Sequence, residues 1–202
     1  MAQIMLFHSV LGVRQGVLDA ASQLQAMGHT VTVPNLYAEG VVFNDYEEAM
    51  KHVETSIGYA ALIDRTREAA RFLPQEMVYA GFSNGGVSAE YLAATRPGAQ
   101  ALILFASGMP LALYGQVEGA DVGAWPGSIP VQVHYTIDDP FRDGDEVAGF
   151  ERDVLAAGAP FTLHDYPGGG HLFTDPTLPK EYDEAATELL WRRVEAFLNE
   201  LG

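Results

Sequence analysis

The chain has 202 residues, 48% of them hydrophobic, and carries a net charge of −16 from 27 acidic against 11 basic side chains. That length and apolar content suit one packed domain over residues 1–202 and exclude a disordered chain. The acidic balance, with no basic cluster to offset it, excludes a nucleic-acid backbone or an anionic membrane as partner, and the absence of cysteine removes disulfides, thiolate catalysis and cysteine-based zinc sites.

The first apolar run, Ile4 to His8, reads as a strand, and the stretch Met1 to Gly12 lacks the basic start of a signal peptide. Val13, Val17, Leu18, Ala21, Leu24 and Met27 then recur near a 3.6-residue period, which predicts a helix stopped by Gly28. Thr30 to Val33 is β-branched and predicts a second strand, so the chain opens with a βαβ unit and a parallel sheet is expected. Tyr46 to Leu73 has a long helical pattern, with Tyr46, Met50, Val53 and Ile57 on its apolar stripe and Gly58 as a point where it can break.

After Pro74 comes MVYAGFSNGGVS, Met77 to Ser88. A strand feeds Gly81-Phe-Ser83-Asn-Gly85, and a helical run follows as far as Pro97. G-x-S-x-G between a strand and a helix is the pattern of a nucleophile elbow, a turn tight enough to need glycine on both sides of the serine. Ala101 to Ala106 is a buried strand, and Ser107 to Ile129 lacks periodicity and reads as a long loop. Val131 to Tyr135 and Phe161 to Tyr166 complete the strands, with a helix over Asp143 to Gly158 between them and a last one from about Glu181 to Leu198. The sum is an α/β fold: about six strands in one open, mostly parallel, doubly wound sheet with no large cap. Ligands in such sheets sit at the carboxyl ends of the strands. No run is long enough to cross a bilayer, and a soluble cytoplasmic protein is expected.

A serine hydroxyl needs a base, and a histidine base needs a carboxylate to hold its tautomer. In elbow-bearing folds these follow the serine in the order acid, then histidine. His134 and His164 lie inside predicted strands and read as sheet histidines. His171 instead follows Tyr166-Pro-Gly-Gly-Gly170, where glycines let a loop carry the imidazole back toward Ser83. The acid belongs in Tyr135-Thr-Ile-Asp-Asp-Pro-Phe141, where Asp138 and Asp139 are both candidates. Asp143 and Asp145 read as the cap and first turn of the next helix. The backbone N–H groups of Asn84 and of Val10, in the loop after the first strand, are the expected oxyanion donors. Ser9, Tyr37, Phe43, Met109, Tyr114, Phe141 and Leu172 lie near predicted strand ends and are the expected walls of a small apolar pocket.

With these residues assembled, the chain resembles the dienelactone hydrolase family of α/β-hydrolases over nearly its whole length. The likeness rests on Gly12-Val-Arg-Gln-Gly16, the run from Ala26 to Tyr37 closing on Pro34-Asn-Leu-Tyr37, the elbow, Asp139-Pro-Phe141, and Tyr166-Pro-Gly-Gly-Gly-His-Leu-Phe173. Alignment on Asp-Pro-Phe favours Asp139 as the acid. The resemblance implies an ester or lactone hydrolase acting on a small molecule through an acyl-enzyme, with no cofactor and no metal. Three departures accompany it: Ser83 stands where the dienelactone hydrolases proper have cysteine, Ser9 where they have a glutamate, and Asp175 where they have an arginine. They point away from an anionic lactone as substrate. A non-catalytic binding protein on the same fold, and an acyl transferase or perhydrolase using the same three residues, are the rival readings. Nothing in the sequence fixes the oligomeric state.

Overall fold

A computed structural model describes all 202 residues. Six strands form one sheet: β1 (Gln3–Phe7), β2 (Thr30–Thr32), β3 (Met77–Phe82), β4 (Ala99–Phe105), β5 (Val131–Thr136) and β6 (Phe161–Tyr166). Their order across the sheet is β2-β1-β3-β4-β5-β6, and every neighbouring pair is parallel. The expected strands are all present, and the sheet is parallel throughout. β3 is buried at every position, as a central strand covered on both faces must be, which explains why Met77 to Phe82 shows no polar alternation.

The helices are α1 (Gln15–Ala26), α2 (Tyr46–His52), α3 (Tyr59–Ala70), α4 (Asn84–Thr95), α5 (Gly144–Ala156) and α6 (Glu184–Glu200). α1 and α6 border a common groove, while α3 packs on α4. The long pattern from Tyr46 is broken as Gly58 suggests: α2 passes into a π-helical turn, Val53–Ile57, and Gly58 at φ +81° turns the chain into α3. Three helix starts are capped by aspartates: Asp143, as its position in the sequence suggests, accepts from the N–H groups of Asp145 and Glu146, Asp45 accepts from Glu48, and Asp183 accepts from Ala186.

Two expectations need correction. The stretch Ser107 to Ile129 is not loop throughout: Leu111–Gln116 forms a 3-10 turn, held because the Leu111 N–H donates to Asp153 of α5 and the Met109 N–H to Glu90 of α4. The last helix starts at Glu184, three residues later than periodicity placed it, which leaves Glu181 in the preceding loop.

The order of strands changes direction between β1 and β3. β1 sends its connection to the β2 edge, whereas β3 sends its own toward β4, so the loops leaving their carboxyl ends part and leave a crevice. Val10 follows β1 and Ser83 follows β3.

Candidate active site

Ser83 occupies the junction of β3 and α4 with φ +50° and ψ −123°, a conformation that costs a residue with a side chain about 1–3 kcal/mol. The surroundings hold it there. Its N–H donates to the Phe105 carbonyl of β4 at 2.8 Å, and its carbonyl accepts from the Gly86 N–H at 2.7 Å. A β-carbon on Gly81 would overlap the Gly85 carbonyl, and one on Gly85 would overlap the His8 carbonyl, so both glycines of the motif are required by backbone contact.

Loops after β3, β5 and β6 bring three side chains together. His171 Nε2 lies 2.7 Å from Ser83 Oγ, and His171 Nδ1 lies 2.8 and 3.0 Å from the two carboxylate oxygens of Asp139. A carboxylate only accepts, so Nδ1 carries the proton and donates to Asp139, which leaves Nε2 to accept from the serine hydroxyl. Asp139 also accepts from the Phe141 N–H at 2.8 Å, a second bond that fixes the carboxylate's rotation. Asp139 and His171 are buried, at 6% and 5% exposure. Asp138 points to solvent, and its N–H donates to the Gly168 carbonyl. Of the two aspartates, only Asp139 reaches the imidazole.

The N–H groups of Val10 and Asn84 donate to nothing inside the protein, and both residues line the crevice beside Ser83 and His171. Asn84 is the first residue of α4, where an unpaired N–H and the positive end of the helix dipole favour negative charge.

The cleft has a volume of about 360 Å³, and Tyr46, Met50, Val53, Tyr59, Phe141 and Glu146 complete its lining. Of the seven wall residues read from sequence, only Phe141 is among them. Tyr37 is buried and spends its hydroxyl on the Val10 carbonyl at 2.8 Å, and Phe43 packs against Tyr37 and His52. Tyr114 is buried with its hydroxyl on the Val87 carbonyl, and Met109 lies against the core with its N–H on Glu90. Ser9 and Leu172 face a separate small gap beside Arg14 and Asp175, and the Ser9 hydroxyl accepts from the Leu11 N–H. Proximity to a strand end put these residues near the crevice, but each packs the loops down. The walls come instead from α2 and the π-helical turn. Their signal, the stripe Tyr46, Met50, Val53, was present in the sequence, but a stripe facing a cleft has the same spacing as one facing the core.

Two other histidines, His134 and His8, are taken up in buried hydrogen bonds away from Ser83. His134 is fully buried between Tyr166 Oη at 2.8 Å and Gln132 Oε1 at 2.9 Å, and burial pushes its pKa well below the ordinary value. His8 receives the Leu36 N–H on Nε2 and donates from Nδ1 to the Ser9 carbonyl. Burial lowers its pKa too, which keeps it neutral. No group of three or more His, Asp or Glu side chains stands close enough to hold a metal ion.

The profile of the dienelactone hydrolase family matches residues 1–202. The chain belongs to the dienelactone hydrolase family. It is therefore a hydrolase on the α/β-hydrolase fold, with a six-stranded parallel sheet and no cap domain. Solved structures agree on the fold. A dienelactone hydrolase-like promiscuous phosphotriesterase from metagenomic libraries is 19% identical, with all of this chain covering 87% of that one at a TM-score of 0.80. A thermophilic esterase from Thermogutta terrifontis with propionate bound is 16% identical, covering 100% of this chain and 84% of that one at a TM-score of 0.69. A thioesterase domain from the curacin biosynthetic pathway is 14% identical over 94% of this chain and 90% of that one, at a TM-score of 0.59. A search of curated protein sequences finds no match. As a family member, this dienelactone hydrolase relative has an oxygen at the elbow, and no helix in it is long and apolar enough to cross a membrane.

Proposed function

We propose that the protein is a serine hydrolase that cleaves a small ester or lactone through an acyl-enzyme on Ser83. The observation that carries this reading is the continuous series Ser83 Oγ, His171 Nε2, His171 Nδ1, Asp139, with each link between 2.7 and 3.0 Å. As Ser83 Oγ attacks the acyl carbonyl, His171 Nε2 takes its proton, and Asp139 stabilises the imidazolium that forms. The carbonyl oxygen becomes an oxyanion held by the N–H groups of Val10 and Asn84, donors worth about 3 kcal/mol each in comparable sites. His171 then returns the proton to the leaving alcohol oxygen. In the second half-reaction it takes a proton from water, whose oxygen attacks the acyl carbon; the bond from that carbon to Ser83 Oγ then breaks, His171 returns the proton to Oγ, and the acid product leaves.

Two features of the cleft bear on the substrate. Its volume of about 360 Å³ suits a small molecule. Glu146 is the one carboxylate side chain of the lining, and that side chain has no hydrogen-bond or ion-pair partner. With −16 on the whole chain, an anionic substrate meets repulsion both near and far. The substrate class is therefore an uncharged or cationic short-chain ester or lactone.

The test is fluorophosphonate labelling with mass-spectrometric site assignment, beside turnover of a nitrophenyl ester series. Label on Ser83 and loss of turnover in Ser83→Ala, by about a million-fold in comparable triads, support the reading. Label on another residue, or a Ser83→Ala protein that still turns over, overturns it.

A further inference from the structure

The loop that carries His171 is held from outside by a carboxylate that the series above does not include. Glu181 accepts the N–H of Leu172, the residue next to His171, at 2.7 Å. The same carboxylate accepts the hydroxyl of Tyr46, which lies 3.0 and 3.1 Å from its two oxygens. Tyr46 is the first residue of α2, and its ring meets the His171 imidazole edge-on with centroids 5.7 Å apart. Phe141 closes the other contact, 4.7 Å from the imidazole and 5.0 Å from the Tyr46 ring. One carboxylate thus links the backbone beside the imidazole to an aromatic ring that flanks it.

A second observation concerns the backbone. A β-carbon on Gly170 would overlap the carbonyl oxygen of Glu181, so the residue before His171 is glycine because the Glu181 chain lies against it. The Gly170 carbonyl accepts from Thr136 Oγ1 at 3.0 Å on its other side. The glycine run was read from sequence as a source of freedom. At Gly170 it serves close approach instead, and the loop is clamped between β5 and the Glu181 segment.

From this geometry we infer that Glu181 and Tyr46 are positioning residues, which hold His171 Nε2 on the line to Ser83 Oγ by tying the Leu172 N–H and the flanking ring to one carboxylate. This rests on the serine-hydrolase reading. Tyr46 is suited to the part: burial first, and then the neighbouring Glu181 charge, raises its pKa, so the phenol stays protonated and keeps donating. Glutamine at 181 is a weaker tie: both donors reach Oε2, and an amide oxygen there accepts them without the carboxylate's charge and without the second oxygen that Tyr46 also meets.

The experiment compares wild type with Tyr46→Phe, Glu181→Gln and the double variant. It measures ester turnover, the rate of fluorophosphonate labelling and thermal midpoints. A small displacement of a catalytic group costs up to about 100-fold. The expected result is a kcat lower by about 10-fold in Glu181→Gln and about 5-fold in Tyr46→Phe, with KM changed less than about twofold. Labelling should slow in parallel, and the double variant should be no worse than Glu181→Gln, because both changes break one linkage. Unchanged kcat and labelling, effects that multiply in the double variant, or losses that follow the thermal midpoint alone would overturn the inference. Tyr46→Phe keeps the ring and leaves the loop's own bond to Glu181 intact, so it reports even if Glu181→Gln does not fold. Wild type that labels at Ser83 while these variants behave normally separates this failure from failure of the serine reading, in which wild type does not label.

Discussion

Around Ser83 an added methyl group has nowhere to go, since the spaces beside Gly81 and Gly85 are filled by backbone atoms of Gly85 and His8. Around Gly58, at the mouth of the same cleft, nothing lies within 4 Å of where a β-carbon would stand, and Met50 and Tyr59 are 39% and 45% exposed. The floor, built from β1, β3 and the start of α4, is overdetermined. The mouth, built from α2, the π-helical turn and the start of α3, is anchored by the buried Ala49 and Val53 and leaves Met50 and Tyr59 partly open. Catalytic geometry needs the first kind of construction, because strain at Ser83 persists only where neighbours enforce it. Selection among substrates is compatible with the second.

The largest test of the floor is Asp139→Asn, which should lower kcat by about 10,000-fold, because asparagine offers the imidazole a donor and favours the wrong tautomer. Asp138→Asn, one residue away and exposed, should stay within about twofold of wild type. Steady-state kinetics on one neutral ester checks both, and equal losses would undo the assignment of the acid. Next is Gly85→Ala. Its methyl group meets the His8 carbonyl, so a loss of about 3 kcal/mol or more in a denaturant titration is expected, together with loss of turnover.

Substitutions at the mouth should act more gently. Met50→Ala and Tyr59→Ala should change the acyl-chain preference in kcat/KM by about 3- to 10-fold, mainly through KM, since they remove contact area and leave the Ser83 to Asp139 series untouched. A large fall in kcat there would mean that the mouth also organises the floor. The smallest effect is expected on the far side of α4. Glu90 is fully buried, and burial raises its carboxyl well above 4.5. The folded chain keeps a proton that the unfolded chain releases, so its contribution to stability falls as pH rises above 4.5 toward the folded value. Glu90→Gln should therefore raise the thermal midpoint at pH 8 by about 3 °C and give a smaller gain near pH 4.5. A gain that is the same at both values would assign the effect to packing.

The floor was legible in the sequence and the mouth was not, for a physical reason. Ser83 and His171 stand where glycines and strand ends leave few alternatives, so residue type and order sufficed. Asp139 needed more, because Asp138 has the same chemistry one position away and only the pleat and the turn at Pro140 decide which faces inward. Tyr37, Phe43 and Tyr114 carry the same apolar signal as wall residues; what removes Tyr37 and Tyr114 from the wall is a hydroxyl partner 27 residues away in each case, and Phe43 instead packs on Tyr37 and His52. Glu181 was hidden by its neighbourhood. An acidic residue just before a helix normally serves the helix start, and here Asp183 fills that role while Glu181 turns to the His171 loop.

The oxygen at position 83 also determines how the protein meets oxidants. A chain without cysteine has no thiolate at its elbow to be carried to sulfenic or sulfinic acid, so peroxide leaves the Ser83 oxygen alone. The exposed sulfur of the cleft belongs to Met50, at the mouth, and its sulfoxide would be polar where the wall is now apolar. On the serine-hydrolase reading proposed above, oxidative damage would register first as an altered choice of substrate, reversible by a sulfoxide reductase, while Ser83 remains open to labelling.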